Sequence, residues 1–574
     1  MSIAPIEYPP EVNSAEEFVG PPVDPEDERI EVGVAIVGGG PAGLACAIRL
    51  MQLLEDAPQL AESLGEVPVA LIEKGKTPGS HLLSGGIMRP SAFQRLFPDM
   101  DESEWPTFGA VEKERVYLMA GKNRAIPLPT PPPFRNHGNH VVSVAQLGRF
   151  LSGKAEEAGV YVLPESAGYK LLVEDGAVRG VRTGDKGRGR DGEELSNFEP
   201  GSEVIAKATV LAEGTQGHLT GAAIRYFKLA GDDPPQWELG VKEIWEVPKP
   251  LDKVVHTMGW PLRPQAKYGE FGGSFIYPMG EDKVSIGFVV GLDYRDATFS
   301  CHDVLQELKT SKLVRGILEG GKRVGWGAKT IPSGGYWAMP DRLWAPGLCI
   351  AGDGASMVNV PQLKGIHYAM HAGMFAAEAI FDGLKKGSTA DLSGYEDRVR
   401  SSEIETDLYR SRNMRQPFTK GFLVGGAIAN LMEASGGRFP PGHWRTHDDA
   451  AMDVFIGKRN KKYPKPDGKL TFDKLSSVFA SGNATRDDAP NHIRIQQNVP
   501  LAIATMWENM CPAQVYSVPD EVKERMAGNG GGMEDELVDL QITPSNCVQC
   551  GAITAKGGRL TPPEGGDGPN YQQT

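Results

Sequence analysis

A glycine-rich turn between a predicted strand and a predicted helix constrains the fold of this chain most strongly. Residues 31–37 form a short β-branched run, and residues 42–53 show helical apolar spacing. Between them, Gly38 permits a tight turn and Gly40 lets the backbone approach a pyrophosphate, while Gly43 lets the helix pack close to the strand. Dinucleotide phosphates would then lie at the helix N-terminus, where free N–H groups favour negative charge.

Two further patterns decide which dinucleotide binds. A second buried strand at residues 67–72 ends at Glu73, from which a carboxylate would hydrogen-bond the adenosine ribose. A short strand at 348–351 leads into Gly352-Asp353, the form of a flavin-binding pattern in which the carboxylate takes a ribitol hydroxyl. Together these patterns predict FAD bound to an α/β fold.

Length and charge limit the class of protein. The 574 residues suffice for two to four structural units, since domains usually run to ~100–200 residues. A net charge of -14 argues against a nucleic-acid partner, which needs a basic face. Residues 1–28 contain no Lys or Arg, which fits neither a signal peptide nor an Arg-rich presequence and predicts a bacterial cytoplasmic chain. The longest apolar candidate, 422–432, is shorter than the ~20 residues of a membrane span.

Segments distributed from about residue 30 to the end resemble the electron transfer flavoprotein–ubiquinone oxidoreductase family. These segments are long and specific, and they include GSHLLSG (79–85), NHGN (136–139), AEGTQGHL (212–219), HTMGWPL (256–262), EGGKR (319–323), YPKPDG (463–468), CPA (511–513) and PEGG (563–566).

The resemblance implies an FAD-binding, Rossmann-like domain of the glutathione-reductase and hydroxylase type. It also implies an inserted antiparallel-sheet quinone-binding domain and a small C-terminal ferredoxin-like domain. The expected divisions are an N-terminal arm (1–29), the FAD-binding domain (30–110, 141–232 and 339–390), the quinone-binding domain (233–338, with a contribution from 111–140), a helical membrane-contact region (391–480) and the ferredoxin-like domain (481–574).

The same resemblance, added to the two FAD patterns, gives a set of expected binding residues. For the cofactor these are Gly38, Gly40, Pro41, Ala42, Gly43, Glu73, Lys74, Ser84, Gly85, Arg149, Gly214, Gly352, Asp353, Gln362, Lys364 and Gly365. For the quinone they are Gly272 and Gly273, where small residues would let backbone groups hydrogen-bond a quinone carbonyl. A packed strand glycine is the alternative at both positions. No catalytic side chain is expected, because the FAD carries the chemistry.

The cysteines depart from the family pattern. A [4Fe–4S] cluster needs four thiolates, which the family supplies from a Cys-Pro-Ala cysteine and a Cys-x-x-Cys-x-x-Cys run. Cys511, Cys547 and Cys550 match the first three positions, but Ile553 stands at the fourth. Three hypotheses stay open here: an iron–sulfur cluster with three cysteines, as a three-iron form or with a non-Cys ligand; another metal such as zinc; or no metal.

The resemblance also implies the partners. Reduced electron transfer flavoprotein would donate electrons, and ubiquinone or menaquinone would accept them. The apolar segment 418–432 would make a monotopic contact with the cytoplasmic face of a bacterial inner membrane, with a core helix as the alternative. The alternative functions are a geranylgeranyl-reductase-like or hydroxylase-like FAD enzyme, and a cluster-less, membrane-docked binding partner. A separate ferredoxin supplying the missing centre is a further hypothesis.

Overall fold

The computed structural model describes residues 3–11, 17–457, 462–529 and 533–574. Parts of the predicted arm, residues 1–2 and 12–16, lie outside the described residues.

The strands belong mainly to two sheets. In chain order they are β1 (Val19–Gly20), β2 (Ile30–Val37), β3 (Val69–Ile72), β4 (Ile87–Met88), β5 (Glu114–Met119), β6 (Ala125–Leu128), β7 (His140–Val141), β8 (Tyr161–Leu163), β9 (Gly168–Glu174), β10 (Ala177–Thr183), β11 (Lys186–Arg188), β12 (Glu194–Glu199), β13 (Glu203–Leu211), β14 (Trp237–Glu246), β15 (Val254–Gly259), β16 (Gly272–Pro278), β17 (Lys283–Gly291), β18 (Lys322–Pro332), β19 (Trp344–Ala345), β20 (Leu348–Ile350), β21 (Ile493–Arg494), β22 (Asn498–Pro500), β23 (Tyr516–Ser517), β24 (Leu537–Asp539), β25 (Gln541–Ile542) and β26 (Arg559–Leu560).

The α-helices lie mainly in the connections between those strands. In chain order they are α1 (Pro41–Glu55), α2 (Pro58–Glu62), α3 (Ser91–Leu96), α4 (Val144–Glu157), α5 (His218–Tyr226), α6 (Gln265–Tyr268), α7 (Cys301–Lys309), α8 (Lys312–Leu318), α9 (Ile366–Lys385), α10 (Ser393–Arg400), α11 (Glu403–Ser411), α12 (Phe422–Ala434), α13 (Lys474–Ala480), α14 (Leu501–Met510) and α15 (Asp520–Asn529).

The first sheet carries the glycine turn. Strands β8, β3, β2, β13 and β20 run parallel, and the antiparallel pair β9–β10 extends the sheet beyond β13. The register pairs Leu211 of β13 with both Val37 of β2 and Ile350 of β20. The carboxyl ends of these three strands therefore meet at one edge, where ligands bind in open α/β sheets.

Helix α1 leaves this edge and packs against α9. A Cβ at Gly373 of α9 would lie 2.0 Å from the Ala42 carbonyl oxygen, so only glycine allows this approach. The predicted strand–turn–helix unit and the predicted helix from Ile366 are therefore confirmed.

The second sheet has the order β18-β14-β17-β16-β15-β5-β6. Neighbouring strands in this sheet are antiparallel, except that β15 and β5 are parallel. Strands β5 and β6 come from an earlier part of the chain than the other five, so the 111–140 segment joins the inserted sheet.

The C-terminal residues form a small unit of two-stranded pairs around α14 and α15, and its side chains share one buried core with the second sheet. The predicted fold class, an FAD-type α/β domain with an inserted antiparallel sheet and a terminal unit, is confirmed. The N-terminal arm, expected on the surface, joins the first sheet instead. Its strand β1 pairs in parallel with β9, and the neighbouring Phe18 is fully buried.

Candidate cofactor and quinone site

A large cavity opens at the edge where β2, β13 and β20 end. Its lining includes the glycine turn from Gly38 to Ala42, the side chains of Phe275 and Tyr277 from the second sheet, and Gln549 from the terminal unit. Three separate parts of the chain therefore face one space.

The glycine turn is shaped by three different constraints. Gly38 has a positive φ of 109°, and a Cβ there would lie 2.2 Å from the Ala212 carbonyl oxygen. A Cβ at Gly43 would lie 2.0 Å from the Gly38 carbonyl oxygen. At Gly40, by contrast, a Cβ would meet only Leu82, at 3.7 Å. Gly40 therefore leaves room on the cavity side beside the N-terminus of α1, as a bound pyrophosphate requires.

Glu73 faces the same turn. Its carboxylate accepts the N–H of Gly39 at 2.8 Å and the N–H of Gly75 at 2.6 Å. Each carboxylate oxygen has a further lone pair, and the residue lines the cavity. The side chain is thus fixed in a position from which it could also accept ribose hydroxyls.

Asp353 lies across the cavity in a 3-10 turn at Gly352–Ala355. Burial raises the pKa of its carboxyl to about 6, and the positive charge of Lys329 opposes that rise. No hydrogen bond from the described part of the chain reaches this carboxylate, so it is free to take a ribitol hydroxyl.

Most of the expected cofactor residues come together around the cavity. Those that line it are Gly38, Gly40, Pro41, Ala42, Glu73, Lys74, Ser84, Gly85, Gly214, Asp353, Lys364 and Gly365. Gly43 and Gly352 do not line it, because they lie behind the turns that do. Gly352 has a positive φ of 73° and packs against Ala42.

Arg149 and Gln362 also fall outside the lining, and both have other partners. The Arg149 guanidinium donates to the carbonyl oxygens of Tyr571 and Gln572. The Gln362 side-chain oxygen accepts from Arg89 at 2.7 Å. The structure therefore does not bring these two side chains to the cavity.

The two glycines expected at the quinone pack between strands and do not line the cavity. A Cβ at Gly272 would lie 2.0 Å from the Val289 carbonyl oxygen, and one at Gly273 would lie 2.5 Å from the Thr257 carbonyl oxygen. These contacts account for both glycines by close strand packing, and a role toward a quinone stays a prediction.

Aromatic residues of the same strand, β16, face the cavity instead. The rings of Phe275 and Tyr277 lie 4.9 Å apart by centroids, beside Gly85. His256 is within 2.9 Å of the Tyr277 hydroxyl, and burial lowers the pKa of this imidazole to about 3. The pair thus presents an apolar, uncharged surface to the cavity.

Two buried lysines bring positive charge to this site. Lys242 of β14 donates to the Ser84 carbonyl oxygen at 2.9 Å, and burial lowers its pKa to about 7. Lys364 donates to the Asn136 side-chain oxygen at 2.6 Å, and burial lowers its pKa to about 7. Sequence reasoning identified Lys364 but missed Lys242, because β14 also contains Glu238, Glu243 and Glu246, so one more charged residue gave no distinct signal.

The three C-terminal cysteines are buried close to the cavity. Cys511, Cys547 and Cys550 are at most 9% exposed, and all three lie in one buried core with Tyr516. Cys511 Sγ accepts the Val515 N–H, and Cys547 Sγ accepts the N–H of Gln549, a residue of the cavity wall. Such N–H···S bonds are typical of sulfurs that ligate a cluster.

A site for a single metal ion is not formed by this set. Across residues 3–11, 17–457, 462–529 and 533–574, no three His, Cys, Asp or Glu side chains are grouped to hold one metal ion. A single zinc ion would need its thiolates ~2.3 Å from one point. A cluster binds its thiolates through several separate irons, so the absence of a single-ion site does not exclude one.

Comparison with known proteins decides the family. The model of the ETF-QO ubiquinone-binding family matches residues 237–331, and that of the electron transfer flavoprotein–ubiquinone oxidoreductase 4Fe-4S family matches residues 468–572. The chain is 37% identical to the mitochondrial electron transfer flavoprotein–ubiquinone oxidoreductase of Oryza sativa, over 95% of this chain and 93% of that protein. The chain belongs to the electron transfer flavoprotein–ubiquinone oxidoreductase family.

Two other relatives of that family match equally far along the chain. The protein of Rattus norvegicus is 38% identical over 94% of this chain and 89% of its own length. The probable electron transfer flavoprotein–ubiquinone oxidoreductase of Acinetobacter baylyi is 35% identical over 95% of this chain and 99% of its own length. Among solved structures, a geranylgeranyl bacteriochlorophyll reductase-like protein of Thermoplasma acidophilum superposes with a TM-score of 0.53 at 18% identity, covering 71% of this chain and 92% of that one. This last likeness supports the fold alone.

The family's two cofactors fit the chain to different degrees. FAD fits, because Gly40 leaves open space at the α1 N-terminus and no described residue donates a hydrogen bond to the Asp353 carboxylate. A cubane held by four cysteines does not fit, because Ile553 follows the three thiols where the run would supply the fourth.

Proposed function

We propose that this chain takes electrons from reduced electron transfer flavoprotein and passes them to a membrane quinone, with FAD as the redox cofactor. The observation that carries this proposal is the single cavity lined by the glycine turn, by strands of the ubiquinone-binding family match and by the terminal unit. The full-length similarity to named oxidoreductases of this type supports the same reaction.

The chain's own residues would hold FAD at four points. The N-terminus of α1, beside Gly40, would bind the pyrophosphate through free N–H groups. Glu73 would accept the ribose hydroxyls, and Asp353 a ribitol hydroxyl. The helix N-terminus at Gly365 would favour negative charge near the ring system. Bound there, FAD supplies chemistry that accepts electrons singly or in pairs.

The quinone would meet the second sheet. Phe275 and Tyr277 offer apolar area to a quinone ring, and the His256 imidazole fixes the Tyr277 hydroxyl. Reduction of a quinone to the quinol consumes two electrons and two protons. Lys242 and Lys364, with pKa values near neutrality, are two of the groups lining the cavity that can hold such protons.

Helix α12 is the proposed membrane contact. No helix among the described residues is long and apolar enough to cross a bilayer. The helix nonetheless exposes Val424 by 47% and Leu431 by 51%. Exposed apolar side chains on a helix favour binding in the plane of a membrane surface. We place the protein on the cytoplasmic face of a bacterial inner membrane, where a quinone with an isoprenoid tail is reached from the lipid.

Anaerobic mixing with reduced electron transfer flavoprotein tests the proposal. We expect the bound flavin to be reduced, and then reoxidised by a water-soluble quinone. Asp353→Ala should bind FAD more weakly and lose both steps in parallel, while Lys249→Met, at an exposed position, should keep them. A flavin that dithionite reduces but reduced electron transfer flavoprotein does not would contradict the proposal. A requirement for added ferredoxin would also contradict direct transfer.

A further inference from the structure

We propose that the C-terminal unit binds its iron–sulfur cluster through three thiolates, those of Cys511, Cys547 and Cys550, and leaves one iron position without a cysteine ligand. The inference rests on the proposed function, because it assigns the form of the metal centre in the same enzyme.

The cysteine inventory limits the possible ligands. All six cysteines lie in the described part of the chain, and none forms a disulfide. Cys46 and Cys349 are buried in the core of the FAD-binding sheet, apart from the core that contains the three terminal thiols. Neither can therefore ligate a cluster in the terminal unit without refolding of the first domain.

Ile553 holds the position that a fourth ligand of the run would occupy. Its side chain is 3% exposed. Its carbonyl oxygen accepts the N–H of Lys556 and of Gly558, both at 3.0 Å. A Cβ at Gly558 would lie 2.6 Å from Ile553 Cγ1, so the isoleucine packs directly on this glycine. An apolar side chain in a fixed turn therefore stands where a soft donor is required.

The backbone between Cys550 and Ile553 is equally fixed. Its carbonyl oxygen accepts both the N–H and the hydroxyl of Thr330, and Gly551 continues the turn with a φ of 88°. A shift of the run that would bring another residue into the fourth position would break these bonds. The three-thiolate set is consequently a property of the folded unit.

Cys301 is the remaining cysteine and defines the rival arrangement. It is the first residue of α7, is 1% exposed and shares the buried core of the three terminal thiols. The experiment must therefore separate a cluster with three thiolates from one completed by Cys301.

An iron without a thiolate should be lost on oxidation. A [4Fe–4S]²⁺ cluster that gives one electron to ferricyanide can release one Fe²⁺ and leave [3Fe–4S]⁺, which balances both charge and iron. Four thiolates oppose this loss, because each iron is then held by the protein. Addition of Fe²⁺ and one electron from dithionite reverses the step.

The experiment is a ferricyanide titration of the anaerobically purified holoprotein, with iron and sulfide analysis and EPR spectroscopy. We expect about one Fe²⁺ to be released per cluster, together with the EPR signal of a three-iron cluster, and reversal by Fe²⁺ and dithionite. Ile553→Cys should keep its iron under the same oxidation. Cys301→Ala should behave as the wild-type protein does, and so should Cys46→Ala as the control for loss of a buried cysteine.

Three results would overturn the inference: full retention of iron by the wild-type protein, loss of iron and sulfide in Cys301→Ala but not in Cys46→Ala, or absence of iron and sulfide from the anaerobic wild-type protein. None of these measurements uses electron transfer flavoprotein or quinone. A protein with the expected cluster response but no flavin reduction by its partner would contradict the proposed function and leave this inference standing.

Discussion

Thr330 of the second sheet donates two hydrogen bonds to the carbonyl oxygen of Cys550, one from its N–H at 2.8 Å and one from its hydroxyl at 2.9 Å. The same hydroxyl is 2.8 Å from that of Thr215, which lines the cavity. The turn that carries Cys550 is thereby fixed both to the second sheet and to the wall of the cavity.

Replacement of Thr330 should loosen that turn. Thr330→Val keeps the N–H bond but loses the hydroxyl bond, at a cost of about 0.5–1.5 kcal/mol. We expect backbone amides of residues 550–556 to exchange hydrogen about three- to tenfold faster, measured by mass spectrometry. Thr330→Ser retains a hydroxyl and should exchange as the wild-type protein does. Equal rates of amide hydrogen exchange in Thr330→Val and in the wild-type protein would show that the hydroxyl bond does not stabilise the turn.

The glycine turn offers a matched pair of substitutions. In Gly43→Ala the new Cβ would lie 2.0 Å from the Gly38 carbonyl oxygen, so α1 must move away from β2. We expect a loss of stability of about 2 kcal/mol or more, seen as a lower unfolding temperature even without FAD. In Gly40→Ala the Cβ meets only Leu82 at 3.7 Å, so the flavin-free protein should keep its stability while FAD affinity falls.

Calorimetry and flavin titration of both variants would check that Gly43 is needed for packing and Gly40 for binding of FAD. A Gly40→Ala protein that unfolds as early as Gly43→Ala would contradict it.

The parts of the fold that sequence predicted are those fixed by local pattern. The Gly38–Gly43 turn and the Gly352-Asp353 end of β20 each require particular residue types within a few positions, and the structure brings both to one cavity. Helix α4, predicted over 144–158 from its apolar face, spans Val144–Glu157.

What sequence missed depends on contacts between distant segments. Tyr277 and Gln549 reach the cavity only because the inserted sheet and the terminal unit pack against the first domain. Arg149 has the charge for a pyrophosphate, but the folded chain brings the carbonyl oxygens of Tyr571 and Gln572 to it instead. No periodicity along the chain specifies such partners.

Lys242 should make stability depend on pH in a defined direction. Burial lowers its pKa to about 7 in the folded protein, while an unfolded lysine titrates near ~10.4. Between these two pH values the unfolded chain binds one more proton than the folded chain, so the folded protein becomes more stable as pH rises. Below about pH 7 Lys242 is protonated in both states, and the amount by which it destabilises the folded protein is constant.

Lys242→Met removes that penalty together with the bond to Ser84. We expect the free energy of unfolding of the variant to exceed that of the wild-type protein by up to a few kcal/mol at about pH 6.5. This difference should shrink toward pH 9.5. Denaturant unfolding of the flavin-free proteins at both pH values would measure the difference. Lys249→Met, at an exposed position, should show no such change. A gain that is independent of pH would place the Lys242 pKa near its ordinary value.

The exposed face of α12 predicts which substitutions separate membrane binding from chemistry. Val424→Glu and Leu431→Glu each place a charge at an exposed apolar position of the helix, and a charged side chain resists burial at the lipid boundary. We expect affinity for lipid vesicles to fall at least about tenfold in the double variant, measured by co-sedimentation. Because these residues lie outside the cavity lining, reduction of a water-soluble quinone should persist while reduction of a long-tailed quinone in vesicles falls. Tyr226→Glu, at a position 45% exposed on α5, is the matched control and should change neither measurement. If the double variant binds vesicles as tightly as the wild-type protein, the membrane contact lies elsewhere on the chain.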